Sequence, residues 1–123
     1  MSFDVYVGDR HVFNHTSNMG AFYAFVLDGA KAENPAARCD SRDGIFGKRF
    51  TDGLPGLHGL TVAQALPRVI GALVRAANTP TAECDTYDAP NGWGTWRHCV
   101  KHLFELRSAC EEAEPSEVIA VSY

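Results

Sequence analysis

An α+β fold, with a small two- or three-stranded sheet packed against three helices, follows from three observations in the sequence. Phe3, Val5 and Val7 alternate with Asp4 and Tyr6, the period-2 signature of a strand with one buried face. Three later stretches carry apolar residues at helical spacing. Finally, Val118, Ile119, Ala120 and Val121 are flanked by polar residues, which reads as a closing strand. Strands early and late with helices between them predict a sheet covered on one face. At 123 residues, 46% hydrophobic and 21% charged, residues 1–123 make one globular domain that can bury a core of its own.

Each element has local support. Gly8-Asp9 is a two-residue turn candidate, so 11–14 returns as a second strand and completes an N-terminal hairpin. Met19, Phe22, Tyr23, Val26 and Leu27 give the first helix, beginning near Asn18 and stopping around Gly29, ahead of Asn34-Pro35. Its apolar character almost all round predicts burial between the sheet and other elements. Residues 34–59 are rich in Gly and Pro and lack a sustained period. They are expected to be a long loop pinned by Ile45, Phe46, Phe50, Leu54 and Leu57, with a short helical turn. Thr61 and Gln64 fit a capping box. Val62, Leu66, Val69, Ile70, Leu73 and Ala77 then form the expected core stripe of a second helix, ended by Asn78-Thr79-Pro80. Pro67 predicts either a kink or a helix that begins there. Residues 81–94 read as a second loop. Thr95 caps a third helix reaching Ala113, with Trp96, Cys99, Val100, Leu103, Leu106, Arg107 and Cys110 along one stripe.

Charge and cysteine usage limit the function classes. The net charge is −4 with Lys and Arg dispersed along the chain, which argues against duplex nucleic acid or an anionic membrane as partner. No apolar run is long enough for a membrane span, and the start of the chain lacks the charged and apolar regions of a signal peptide. A cytoplasmic location is expected. The cysteines are Cys39, Cys84, Cys99 and Cys110. Cys99 and Cys110 stand about 16 Å apart along one helix at 1.5 Å per residue and cannot bridge; reduced core thiols are expected.

Two stretches stand out as a candidate site. Asn14, Thr16 and Asn18 point to one side while the chain is extended, and Asn91, Trp93 and Thr95 sit in the turn Asn91-Gly92-Trp93-Gly94-Thr95. Each stretch directly precedes a predicted helix, whose N-terminal amides and partial positive charge favour anions. Asn side chains read donor and acceptor edges of a planar group, and Trp93 or Phe13 can stack on it. If the stretches converge, they form a pocket for a small polar or anionic, nucleotide-like ligand. The competing reading is that Thr16, Asn18 and Thr95 are caps and Asn91-Gly92 an ordinary turn.

Catalysis has less support. His98 and His102 have the i, i+4 spacing of metal ligands, but Lys101 lies between them and both are expected to face solvent off the apolar stripe. A metal-dependent hydrolase would need Cys84, Asp85, Asp88 or His15 to approach them. Glu83, Asp85 or Asp88 with His15 or His58 offers acid–base chemistry without a visible pairing. No cofactor is expected, and a non-enzymatic protein is the favoured reading.

On Asn14-His15-Thr16-Ser17-Asn18-Met19 and Asn91-Gly92-Trp93-Gly94-Thr95 the chain resembles small uncharacterised proteins of actinobacteria and their phages. Those pair an Asn-x-Thr-x-Asn stretch with an Asn-Gly-Trp-Gly turn and a short final strand; the match covers most of the chain in outline and is loose over 31–60. The resemblance implies a phage or prophage context and carries no catalytic residue. Acidic accessory proteins of that setting sequester a ligand or occlude a host protein, including defence components. The second functional expectation is therefore a protein–protein interaction module acting on a host protein. Self-association through the first helix or a free sheet edge is a further expectation.

Overall fold

A computed structural model of the chain describes residues 2–29 and 53–122. Strand β1 (Ser2–Val7) turns at Gly8 and Asp9 into β2 (Arg10–Thr16). Gly8 takes φ +57°, a left-handed value that glycine adopts without a Cβ penalty. The chain then tightens into a 3-10 turn, Ser17–Met19, before α1 (Gly20–Asp28). After a second 3-10 turn (Leu54–Leu57) come α2 (Val62–Ala77), α3 (Thr81–Asp85), α4 (Trp96–Glu112) and β3 (Ile119–Ser122). The sheet is antiparallel in the order β2-β1-β3.

This is the α+β architecture expected, with one helix more. The segment 81–94 was expected to be loop throughout, yet Thr81–Asp85 is helical; five residues are too few to show a helical period. The first helix begins two residues later than Asn18 because Thr16 closes the 3-10 turn, its hydroxyl accepting from Asn18 N at 3.3 Å. Gly29, at φ +72°, ends α1 with its N–H on Phe25 O at 2.8 Å. The Arg75 guanidinium donates to the carbonyls of Phe25 and Val26, placing a cation at the negative end of α1.

Helix α2 starts at Val62 on a complete capping box, with Thr61 Oγ1 accepting from Gln64 N and Gln64 Oε1 from Thr61 N. It continues through Pro67, so the helix does not begin there. Ala63 and Pro67 are both exposed, which leaves the carbonyl that loses its donor within reach of water. Its buried stripe is Val62, Ala65, Val69, Ala72, Leu73 and Ala76. Ile70, expected in that stripe, is 39% exposed, and Ala77 also faces outward.

The core lies between the sheet and α1, α2 and α4. Phe3, Val5, Val7, Phe13, Ile119 and Val121 form the inward face of the sheet. Against it stand Phe22, Tyr23 and Val26 of α1 and Cys99, Leu103, Leu106 and Cys110 of α4, all nearly or wholly inaccessible. Every residue of α1 from Ala21 to Leu27 is buried, as its apolar circumference implied. Leu54 and Leu57 anchor the second 3-10 turn with no exposed surface. The other expected anchors, Ile45, Phe46 and Phe50, lie outside the described residues, as does Cys39. Cys84, Cys99 and Cys110 are buried free thiols. Among the described residues no helix is long and apolar enough to cross a membrane.

Two features of the sheet bear on function. A bulge between Val5 and Tyr6 pairs Val5 with Phe13 and Tyr6 with His11, leaving Val12 over. The far edge of β3 is covered: Gly59 N donates to Ile119 O, Ile119 N to Leu60 O, and Val121 N to His58 Nδ1. No described backbone bond joins β2 to anything except β1.

Candidate functional site

The two stretches singled out in the sequence do meet. Gly94, at φ +135°, lies so close to the end of β2 that a Cβ on it would stand 2.6 Å from Met19 Cγ and 2.9 Å from Thr16 Cγ2. Only a residue without a side chain fits there. The polar groups brought together are largely spent within the fold. Thr16 caps the 3-10 turn, Asn91 Oδ1 accepts from Trp93 N at 2.9 Å, and Thr95 Oγ1 accepts from His98 N at 3.4 Å. Asp88 Oδ1 accepts from Trp96 N at 2.8 Å, so a carboxylate of the chain itself sits at the start of α4. Asp85 Oδ1 takes the Trp96 indole N–H at 2.7 Å. Asn18 is half-buried, while Trp93 is 70% exposed.

Asn14 lies apart from this junction. Its side chain is on the outward face of the sheet, donating to Ser2 Oγ at 2.9 Å and Asp4 Oδ1 at 3.0 Å. His11 Nε2 approaches the same carboxylate oxygen at 3.0 Å. The Asn14 and His11 contacts hold the Asp4 carboxyl below the usual carboxylate range. Asn14 and Thr16, two apart in β2, share that face as expected, but the extended run ends at Thr16 and the alternation does not carry on to Asn18.

His15, on the inward face, is the centre of a cluster that the sequence reading did not assemble. Its Nδ1 lies 2.8 Å from Tyr23 Oη and 4.0 Å from Cys99 Sγ, and its Nε2 is buried without a partner. The ring centroids of His102 and His98 stand 4.6 and 6.3 Å away. Burial, reinforced by those two imidazoles, lowers the His15 pKa to about 4. Burial also pushes the Tyr23 phenol and the Cys99 thiol up. His98 faces solvent as expected. His102 does not: it is half-buried, stacks on Phe13 at 4.5 Å and places Nδ1 2.9 Å from Glu105 Oε1. Among the described residues no group of three His, Cys, Asp or Glu side chains is arranged to hold a metal ion. The alternation of Phe13 and His15 along β2 was the signal that could have placed His15 inside.

Beside these elements a groove of about 630 Å³ lies between β2 and the outer side of α4. Val12, turned out of the ladder by the bulge, joins Val100 and Phe104 in an apolar floor; Phe104 is 51% exposed. Arg10, His11, Arg97 and Lys101 supply a basic rim, and Ser108 lies at the far end. Arg10 reaches Glu112 at 2.6 Å in an exposed pair, and the Arg97 guanidinium rests 4.7 Å over the Trp96 ring. Glu105, the acid in the lining, is engaged by His102. Sequence reading could not see this basic patch, because Arg10 comes from a strand and Arg97 and Lys101 from a helix far along the chain.

A neighbouring groove of about 330 Å³, lined by Asp9, Glu112 and Glu117 among others, carries the opposite charge. Comparison with protein-family models, curated proteins and solved structures returns no match for this chain.

Proposed function

We propose that the protein is a non-enzymatic accessory protein of phage or prophage type, acting in the host cytoplasm, and that it works by binding an anionic ligand in the groove between β2 and α4. One observation carries this reading. A chain of net charge −4 gathers Arg10, Arg97 and Lys101, against the single acid Glu105, around an apolar floor. Mixed apolar and cationic linings of several hundred Å³ suit ligands that pair anionic groups with an apolar body. The hydrogen bonds at the start of α4 favour this location over the helix N-terminus, since Asp88 and Thr95 already occupy its amides. The resemblance on 14–19 and 91–95 supports the phage context.

The experiment is an amide-resolved NMR titration with inorganic triphosphate as a simple anionic probe. Resonances of Arg10, Val12, Arg97, Lys101 and Phe104 are expected to move. The double variant Arg97→Ala/Lys101→Ala should weaken the response roughly tenfold, as loss of two charge-assisted contacts implies. Movement confined to Thr16, Asn18, Asn91, Trp93 and Thr95, abolished by Asn14→Ala with Trp93→Ala, would move the site to the converged stretches. No movement at either place overturns the reading.

A further inference from the structure

We infer that the ligand of this groove is an extended acidic peptide segment of another protein, which pairs its backbone with the free edge of β2. The inference rests on the groove being the binding surface, and it names the class of ligand.

The argument begins with the two edges of the sheet. Residues 58–62 cover β3, whereas β2 has no backbone partner beyond β1 among the described residues. An uncovered edge presents a row of donors and acceptors that an extended chain can satisfy.

The second strand of the argument is shape. From Arg97 to Ser108 the α4 wall covers about 16 Å at 1.5 Å per residue, which matches roughly five residues of extended peptide at 3.3 Å each. The helix runs antiparallel to β2: His98 and His102 neighbour His15, while Glu112 meets Arg10. The groove therefore runs beside the first three residues of β2, Arg10, His11 and Val12.

Charge selects the occupant. Arg97 and Lys101 make no described ion pair with an acid, and Arg10 holds only an exposed one. An acidic segment with apolar residues between its carboxylates matches this rim and the floor of Val12, Val100 and Phe104. The basic rim disfavours the same edge of a second copy, since two such pairings would bring the Arg10, Arg97 and Lys101 sides of both copies together.

The test uses an acetylated, amidated heptapeptide in which Val, Phe and Val alternate with Asp and Glu, and the same peptide N-methylated at alternate amides. The parent peptide is expected to slow amide hydrogen exchange in β2, with N-methylation weakening binding roughly tenfold as main-chain bonds are lost. Arg97→Ala/Lys101→Ala should weaken it by a similar factor. Equal binding of both peptides, or no protection of β2, overturns strand pairing while leaving the groove as an anion site. Failure of both peptide and triphosphate to perturb the groove overturns the binding reading itself. Protection of β2 without peptide, with a dimer mass in sedimentation, assigns the edge to a second copy and overturns the inference.

Discussion

His15 is one strand position from Thr16 and on the opposite face, and that single step separates a cap from a buried imidazole. At 8% exposure, with Nδ1 on Tyr23 and Nε2 unpartnered, it is held neutral in the fold. Its pKa is about 4 in place of the ordinary 6.5. The unfolded chain therefore binds more protons in this interval, and stability falls as pH drops from about 6.5 towards 4, levelling below. Thermal melts at pH 7.0 and pH 4.5 should show a drop on the order of several degrees, and His15→Gln should shrink that difference. An undiminished drop in the variant would assign the acid sensitivity to other groups. The cluster itself was legible in part. The Gly8-Asp9 turn gave the strand over 11–14, but extending it by one residue to place His15 inward required knowing that α4 brings His98 and His102 to that spot.

Elements whose ends rest on local chemistry were legible in the sequence: the Thr61 box, the Thr95 cap, the Gly29 stop and the Gly8-Asp9 turn all form where their side chains and backbone freedom dictate. The 3-10 turn at Ser17–Met19 and the short α3 were not, since neither is long enough to establish a period. The meeting of the 91–95 turn with the end of β2 was only a condition in the sequence; Gly94 fulfils it. Gly94→Ala combines a φ of +135° with contacts to Met19 and Thr16 under 3 Å, whereas Gly92→Ala meets open space at φ +79°. Calorimetry should show Gly94→Ala destabilised by about 2–3 kcal/mol, from strain and overpacking together. Gly92→Ala should lose about 1 kcal/mol, the cost of the backbone conformation alone. Equal losses would mean that the close approach at Gly94 is relieved at no cost.

At the scale of the molecule, the α+β class was legible because two strands and three helices had strong patterns. The charge layout was not. A net charge of −4 with dispersed cations gave no hint that folding sorts a basic groove to one side of Arg10 and an acidic one to the other. The covered edge of β3 and the edge of β2, unpaired among the described residues, have a consequence for stoichiometry. A sheet that can be extended from one side only has a valence of one: it terminates whatever strand it meets and cannot hand the pairing on. Native mass spectrometry should find a single peptide per chain even at excess ligand. Longer chains of subunits would require β3 to shed residues 58–62. On the proposal that the β2 edge takes an extended segment, that asymmetry makes the pairing a terminus and not a relay.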